Sequence, residues 1–318
     1  MSESPAVVVL SGGTGGAKLA RGMLDVVGPE RLTVVANPGD DIEIYGGHVS
    51  PDPDLVSFWL ADRIDPRGWG LDGDTFTVTE TLRALGEEIW FNLGDQDLAI
   101  AIRRARALAE GRPLTEAHRE INAALGVRAA VLPASDRPVR TRVLADGRWW
   151  TLQEFLIRAR GRGEVQDVQF RGAAEAGISR AVRDAITAAA AIVIGPSNPI
   201  ISIGPMLAIP QLRAALRVAR APVVAVSPIV GGEVLKGPTA AFMRHRGVEV
   251  SASGLATLYA GVIDGLVTDE STELPVPALR TELLMDGAAG RERLARATLE
   301  FATSLTRQTA PPSSVPPR

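Results

Sequence analysis

Six short runs rich in β-branched residues recur along the chain: VVVL (7–10), LTVVAN (32–37), AIVIG (191–195), PVVAVS (222–227), VEVS (248–251) and GLVT (265–268). Each is followed by a Gly-, Pro- or Asn-rich loop and then by an Ala-, Leu- and Arg-rich stretch of helical period. Apolar runs without polar alternation belong to strands buried on both faces. Strands that alternate with helices in this way predict an α/β fold with a doubly wound, mostly parallel, Rossmann-like sheet. In such folds ligands bind at the carboxyl ends of the strands, so the loops after these runs are where function is sought.

The middle of the chain reads differently. Residues 97–125 carry two helical segments broken at Gly111-Arg112-Pro113, with Thr115 placed to cap the second. RAAVLP, VRTRVL, the turn 145–148 and WWTLQEF predict a small β-hairpin with a helix behind it. The expected organisation is a nucleotide-binding core of 1–70 plus 175–275, an inserted α+β cap subdomain of 71–174, a C-terminal helical segment of 276–306, and a disordered proline-rich tail of 307–318.

Charge and composition exclude several function classes. With 34 basic and 37 acidic side chains and no block of one sign, nothing suggests a nucleic-acid face. No cysteine is present, which rules out disulfides, thiolate nucleophiles and Cys-ligated metals and fits a reducing, cytoplasmic setting. The opening MSESPAVVVL lacks a basic region and reads as a first strand rather than a signal peptide. The uncharged stretch between Asp184 and Arg213 raises a membrane span, but its four prolines fit a strand, a loop and a helix start better.

After the first strand comes LSGGTGGAKL (10–19). The P-loop pattern demands a Ser or Thr after its lysine, whereas Leu19 follows Lys18, so a Walker A loop is excluded. The dinucleotide pattern begins with Gly13-Thr14-Gly15 but has Lys18 where its third glycine belongs, which leaves a dehydrogenase as an alternative. The remaining reading is a variant diphosphate loop: backbone donors from Gly12, Gly13, Gly15 and Gly16, a hydroxyl from Thr14 and a cation from Lys18.

Acidic pairs follow at Asn37-Pro38-Gly39-Asp40-Asp41 and Ser50-Pro51-Asp52-Pro53-Asp54, both read as rigid turns. Carboxylates facing a phosphate loop suit Mg²⁺, which takes oxygen ligands and bridges them to substrate phosphate. A third acidic stretch, Asn92-Leu93-Gly94-Asp95-Gln96-Asp97, precedes a helix that Asp95 or Asp97 caps. His48 lies between the acidic pairs without metal-ligand spacing. Loops containing Ser197, Asn198, Ser227 and Lys236 add neutral donors and one cation at later strand ends.

LSGGTGGAKL, NPGDD, HVSPDPDL, NLGDQD, GPSNPIISIGP and SPIVGGEVLKGP, in that order, closely resemble the 2-phospho-L-lactate transferase family of coenzyme F₄₂₀ biosynthesis, over roughly residues 6–270. The Ala- and Arg-rich composition looks like its actinobacterial branch, which uses an enolpyruvyl donor. The resemblance implies a guanosine diphosphate donor carrying enolpyruvate or lactate, the deazaflavin Fo as acceptor, GMP as leaving group, Mg²⁺ as cofactor and a homodimer. It places Asp54 and Asn92 against the deazaflavin. Asp41 and Asp54 are expected as catalytic metal ligands, with Asp54 alternatively a base or orienting group. Gly13 to Lys18, Ser197, Asn198, Ser227 and Lys236 are expected to hold the nucleotide. Asn92 and Gln96 stand where a basic residue is common in the family, and Leu55 where threonine is common. The alternative in the wider superfamily is a non-catalytic regulator that binds nucleotide sugars at a similar loop.

Overall fold

The computed structural model describes residues 6–235 and 237–305; Lys236 and the expected tail 307–318 lie outside them. In chain order the strands are β1 (Val7–Ser11), β2 (Leu32–Ala36), a hairpin of β3 (Ile42–Ile44) and β4 (Gly47–Val49), β5 (Ala130–Pro133), β6 (Arg140–Ala145), β7 (Arg148–Thr151), β8 (Val165–Arg171), β9 (Ala191–Ile194), β10 (Val223–Val226), a hairpin of β11 (Ile229–Val230) and β12 (Glu233–Val234), β13 (Gly265–Thr268) and β14 (Ala278–Arg280). Seven form one sheet in the order β14-β13-β10-β9-β1-β2-β5, and each neighbouring pair is parallel.

Successive residues of each central strand point to opposite faces, and both faces are covered. Val8, Leu10, Ile192 and Ile194 pack with Met206 and Leu212 on one side. Val7, Val9, Ala191 and Val193 pack with Leu19, Met23 and Leu294 on the other. Each of these Val, Ile, Leu and Met side chains stabilises the fold by about 1.5–3 kcal/mol relative to leaving it in water. This two-sided burial is why the strands read as unbroken apolar runs. Because β1 lies between β2 and β9, the winding reverses beside it, and the loops after β1, β2 and β9 meet at one switch point.

The helices that reach this point are α1 (Gly13–Val27), α2 (Pro51–Leu60), α3 (Thr77–Ala84), α4 (Asp95–Ala109) and α5 (Leu114–Leu125). A three-stranded antiparallel sheet, β7-β6-β8, stands beside them. The short helix α6 (Leu152–Ile157) follows β7 and opens with a Thr151/Glu154 capping box.

Several local readings change. RAAVLP does not join the hairpin: it is β5, parallel to β2 at the edge of the main sheet, and β14 lies within 276–306, so the sheet extends beyond 1–70 plus 175–275. VEVS is not a strand, because Val248 N donates to Met243 O at the end of one helix and Ser251 caps the next. Pro51-Asp52-Pro53-Asp54 is the first turn of α2 rather than a turn between elements, with Pro51 at the helix start, where its missing N–H costs nothing. Thr115 lies inside α5, and its backbone N–H is taken by Asp136 at 2.7 Å. The stretch between Asp184 and Arg213 forms β9, loops and helix starts, and among the described residues no helix is long and apolar enough to cross a membrane.

Gly15 shows how tightly the first loop is built. A Cβ placed there would lie 2.1 Å from the Pro196 carbonyl oxygen. Gly15→Ala is expected to destabilise the protein by about 1–3 kcal/mol, the cost of overpacking. Urea unfolding checks this; the gain of about 1 kcal/mol expected of Ala in an unstrained helix would contradict it.

Candidate active site

The glycine loop is a close-packed junction. Gly12 N donates to Ser197 Oγ at 3.2 Å, and a Cβ on Gly16 would meet both Ser11 Oγ and Ser197 Oγ. Gly15 and Gly16 therefore let the start of α1 press against the loop after β9. Gly13, at φ 65°, turns the chain into α1, and its N–H is given to Asp52 Oδ1 at 2.5 Å. A carboxylate thus already sits on the positive end of this helix. Lys18 is turned away from the loop, with Nζ 5.8 Å from the centroid of the Trp59 ring. Asn198 Oδ1 accepts from Ile200 N and Ile201 N, while its Nδ2 is buried without a partner. Ser227 closes its own turn through Ile229.

Around this junction four buried aspartates form a wall, supplied by the loop after β2 and the first turn of α2. Asp52 Oδ2 accepts from Asn37 Nδ2 at 2.9 Å. Asp40 Oδ2 accepts from Gln153 Nε2 at 3.2 Å, and Asp41 Oδ2 lies 3.1 Å from His48 Nε2. The second oxygens of Asp40 and Asp41 are buried without partners. Asp54 is different: both its oxygens are engaged by the guanidinium of Arg104, a fully buried side chain of α4 that also donates to His48 O at 2.9 Å. Behind this pair, His118 of α5 stands with Nδ1 3.9 Å from Asp54 Oδ1.

Burial dominates the electrostatics. It pushes the Asp52 carboxyl up to about 6, against the hydrogen bonds from Asn37 and Gly13. Burial and then the neighbouring charges of Asp52 and Asp41 raise Asp40 well above the ordinary range. Burial pushes Asp54 up against the pull of Arg104, and it drives His118 well down, so that imidazole stays neutral. Burial also opposes the charge on His48, but hydrogen bonds to Asp41 and Glu43 outweigh it and raise that pKa.

Three cavities meet this wall. One of about 490 Å³ is lined by Trp69, Trp90, Phe91 and Asn92 together with Asp52, Asp54, Asp97 and Gln153. Trp90 and Phe91 stack at 5.7 Å between ring centroids. Asp97 in this cavity is raised to about 7, first by burial and then by Asp54 and Asp74. A second cavity, about 290 Å³, includes Asp40, Asp41, Arg140, Arg142, Arg171 and Gln153; a third, about 660 Å³, includes Asp41, His48, Tyr45 and Arg137. The N-termini of α3 and α4 hold the aromatic cavity's rim by exchanging caps. Asp74 accepts from Gln96 N at 2.9 Å at the start of α4, while Asp95 accepts from Val78 N at 2.9 Å at the start of α3.

Of the residues read from the sequence, Asp41, Asp54, Asn92, Gly13 and Ser197 surround this junction. Lys18 is not brought to it, and Lys236 lies outside the described residues. Trp69, Trp90, Phe91, Arg104 and Gln153 were not read. With aromatics at 4% of the chain, the Trp90-Phe91 pair directly before NLGDQD was the available signal.

The expected Mg²⁺ can be tested against these atoms. The bare oxygens of Asp40 and Asp41 fit a divalent cation, which would offset the neighbouring charges of Asp52 and Asp41 that raise the Asp40 pKa. Asp54 does not, because Arg104 holds both its oxygens. Among the described residues no group of three or more His, Asp or Glu side chains is arranged to hold a metal. The donor set therefore fits an ion held by one or two carboxylates and completed by substrate phosphate, the usual manner of Mg²⁺.

A pH dependence follows. Asp40, Asp52 and Asp97 bind protons more tightly folded than unfolded, so their contribution to stability is full at low pH and is lost as pH rises, through about 6 for Asp52 and about 7 for Asp97. The metal-free protein should lose several degrees of melting temperature between pH 5.5 and 8, and Mg²⁺ should restore more at pH 8 than at pH 5.5. A melting temperature that rises with pH without metal would refute the wall's assignment.

Comparison with known proteins bears on these features. A family model described as "2-phospho-L-lactate transferase CofD" matches residues 7–291. The 2-phospho-L-lactate transferase of Methanosarcina mazei is 40% identical over 265 residues, covering 83% of this chain and 87% of its own. That of Methanocaldococcus jannaschii is 37% identical over 309 residues, covering 94% and 99%. In fold, the chain resembles the crystal structure of a UPF0052 family protein from Bacillus halodurans with a TM-score of 0.60 at 18% identity, over 94% of this chain and 100% of that one.

Proposed function

Because the chain belongs to the 2-phospho-L-lactate transferase family, transferases of coenzyme F₄₂₀ biosynthesis, we propose that it moves a 2-phospholactyl or phosphoenolpyruvyl group from a guanosine diphosphate donor to the terminal ribityl hydroxyl of Fo. The observation that carries this reading is that an aromatic cavity and a basic one meet at one wall of aspartates, with Gln153 lining both. A flat, apolar ring system suits the cavity of Trp69, Trp90 and Phe91, and Asp54 and Asn92 would border it. The nucleotide is assigned to the switch point: Thr14 at the start of α1, where Asp52 already holds the Gly13 N–H, Gly15 and Gly16 packed behind it, Ser197, the bare Nδ2 of Asn198 and Ser227, with Lys236, outside the described residues, proposed as a further contact. Lys18, over Trp59, is left out.

In the step itself the ribityl oxygen forms a bond to the distal phosphorus and the bond from that phosphorus to the bridging oxygen breaks. GMP leaves with the electron pair, and the hydroxyl proton passes to Asp52 of the wall or to Asp97 of the aromatic cavity, whose pKa values are raised to about 6 and about 7. Positioning and charge stabilisation suffice for such a displacement. Asp40 and Asp41 would hold Mg²⁺, which when bound neutralises charge on the transferring phosphate. Asp54, fixed by Arg104, orients the acceptor without serving as a metal ligand.

Incubation with Fo, Mg²⁺ and either lactyl- or enolpyruvyl-diphosphoguanosine, followed by chromatography with mass detection, tests the proposal. GMP and F₄₂₀-0 or dehydro-F₄₂₀-0 are expected in equal amounts from one donor and to disappear with EDTA. No product from either donor would overturn the reading.

A further inference from the structure

Building on the transferase reading, we propose that the cavity of about 290 Å³ is a recognition site for an oxyanion carried by the donor, formed by Arg140, Arg142 and Arg171. Arg140 and Arg142 are two residues apart on β6, and Arg171 of β8 pairs directly with Arg140, so all three share one face of the small sheet. Thr141 and Val143, the alternate residues of β6, are buried on the other face. Like charges directly opposite across a sheet oppose folding. Arg140 alone is compensated, by Glu43 at 2.7 Å and by Asp41 at 4.0 Å. Among the described residues, Arg142 and Arg171 have no carboxylate partner, and Arg142 Nε is buried without any acceptor.

An anion in the cavity removes both costs: it separates the guanidiniums and satisfies the orphaned donor. Their planar forks match carboxylate or phosphate oxygens in pairs. The cavity is smaller than the roughly 300–1,000 Å³ of sites that enclose a whole drug-sized ligand, so it takes one end of a ligand. Asp40, Asp41 and Gln153 line the same cavity, and Gln153 also lines the aromatic one, which sets the oxyanion beside the aspartates and next to the aromatic cavity. Two parts of the donor carry the required chemistry, the carboxylate of its three-carbon acid and its diphosphate.

Isothermal titration with 2-phospho-L-lactate and, separately, with GDP, in Mg²⁺, tests this on the unaltered chain and on Arg142→Ala, Arg142→Lys and Arg171→Ala. Either alanine variant should weaken 2-phospho-L-lactate binding by roughly 10- to 100-fold, the loss of a charge-assisted contact, with Arg142→Lys between. Unchanged GDP affinity in the variants identifies the carboxylate as the bound group; a parallel loss for GDP identifies the diphosphate. Unaltered affinity for both, or no binding of either by the unaltered chain, overturns the proposal. Arg171 is exposed, so its variant carries the test if the Arg142 variants fail to fold. Product formation by the unaltered chain separates failure of this site from failure of the transferase reading.

Discussion

Replacing Arg104 with Met is expected to cost about 3–5 kcal/mol of stability, because it leaves Asp54 as an uncompensated buried carboxylate. Arg104 is fully enclosed, and its guanidinium ties three separate pieces together: both oxygens of Asp54 on α2, the His48 carbonyl on β4, and its own helix α4. Melting should fall by roughly 5–15 °C. The double variant Arg104→Met/Asp54→Asn should recover a large part of the loss, since no buried charge is left unpaired. The single variant should also regain stability in acid, where Asp54 takes a proton or His118, 3.9 Å away, becomes its cation. A single variant within 1 kcal/mol of the parent in urea unfolding, or a double variant no better than the single, would show that this pair does not hold the wall in place.

Asp41→Asn should lower kcat by about 10²–10³-fold, the size of effect seen when one preorganised electrostatic contact is removed from a transition state. Asp41 combines a bare buried oxygen with a hydrogen bond to His48, and it borders both the basic cavity and the large one. Asn preserves the volume and can still bond His48, so melting should change little. Affinity for Fo should also hold, because Asp41 does not line the aromatic cavity. Steady-state kinetics at saturating Mg²⁺ decide the matter: a variant with near-parental kcat places the cation or the phosphate elsewhere.

How far the sequence could be read depended on whether a signal was local. β1, β2, β9, β10 and β13 were legible because burial on both faces leaves no polar alternation, whatever their partners. RAAVLP looked like part of a hairpin because sequence proximity cannot show that Val131 pairs with Val34. The acidic stretches announced themselves through Pro, Gly and Asp in short runs. Their division of labour did not: Asp54 resembles Asp41 on paper, and only packing reveals that Arg104 claims it. Arg104 was invisible in IRRARALAE, where an inward-facing arginine looks like its solvated neighbours. Lys18 shows the same limit, since a lysine after a glycine loop suggests phosphate, while the fold sets its ammonium 5.8 Å from the centroid of the Trp59 ring. The aromatic cavity draws Trp69 and Trp90 from separate loops, and their convergence is a property of the fold.

The most direct measurement is a crystal structure of the protein with GDP, Fo and Mg²⁺. The deazaflavin ring should lie among Trp69, Trp90 and Phe91, with the ribityl hydroxyl and the β-phosphate on either side of the aspartates and the cation on Asp40 or Asp41. The hydroxyl oxygen should stand about 3–3.5 Å from where the transferred phosphorus sits. A deazaflavin bound outside that cavity, or a β-phosphate remote from Asp40 and Asp41, would contradict a transfer across this wall.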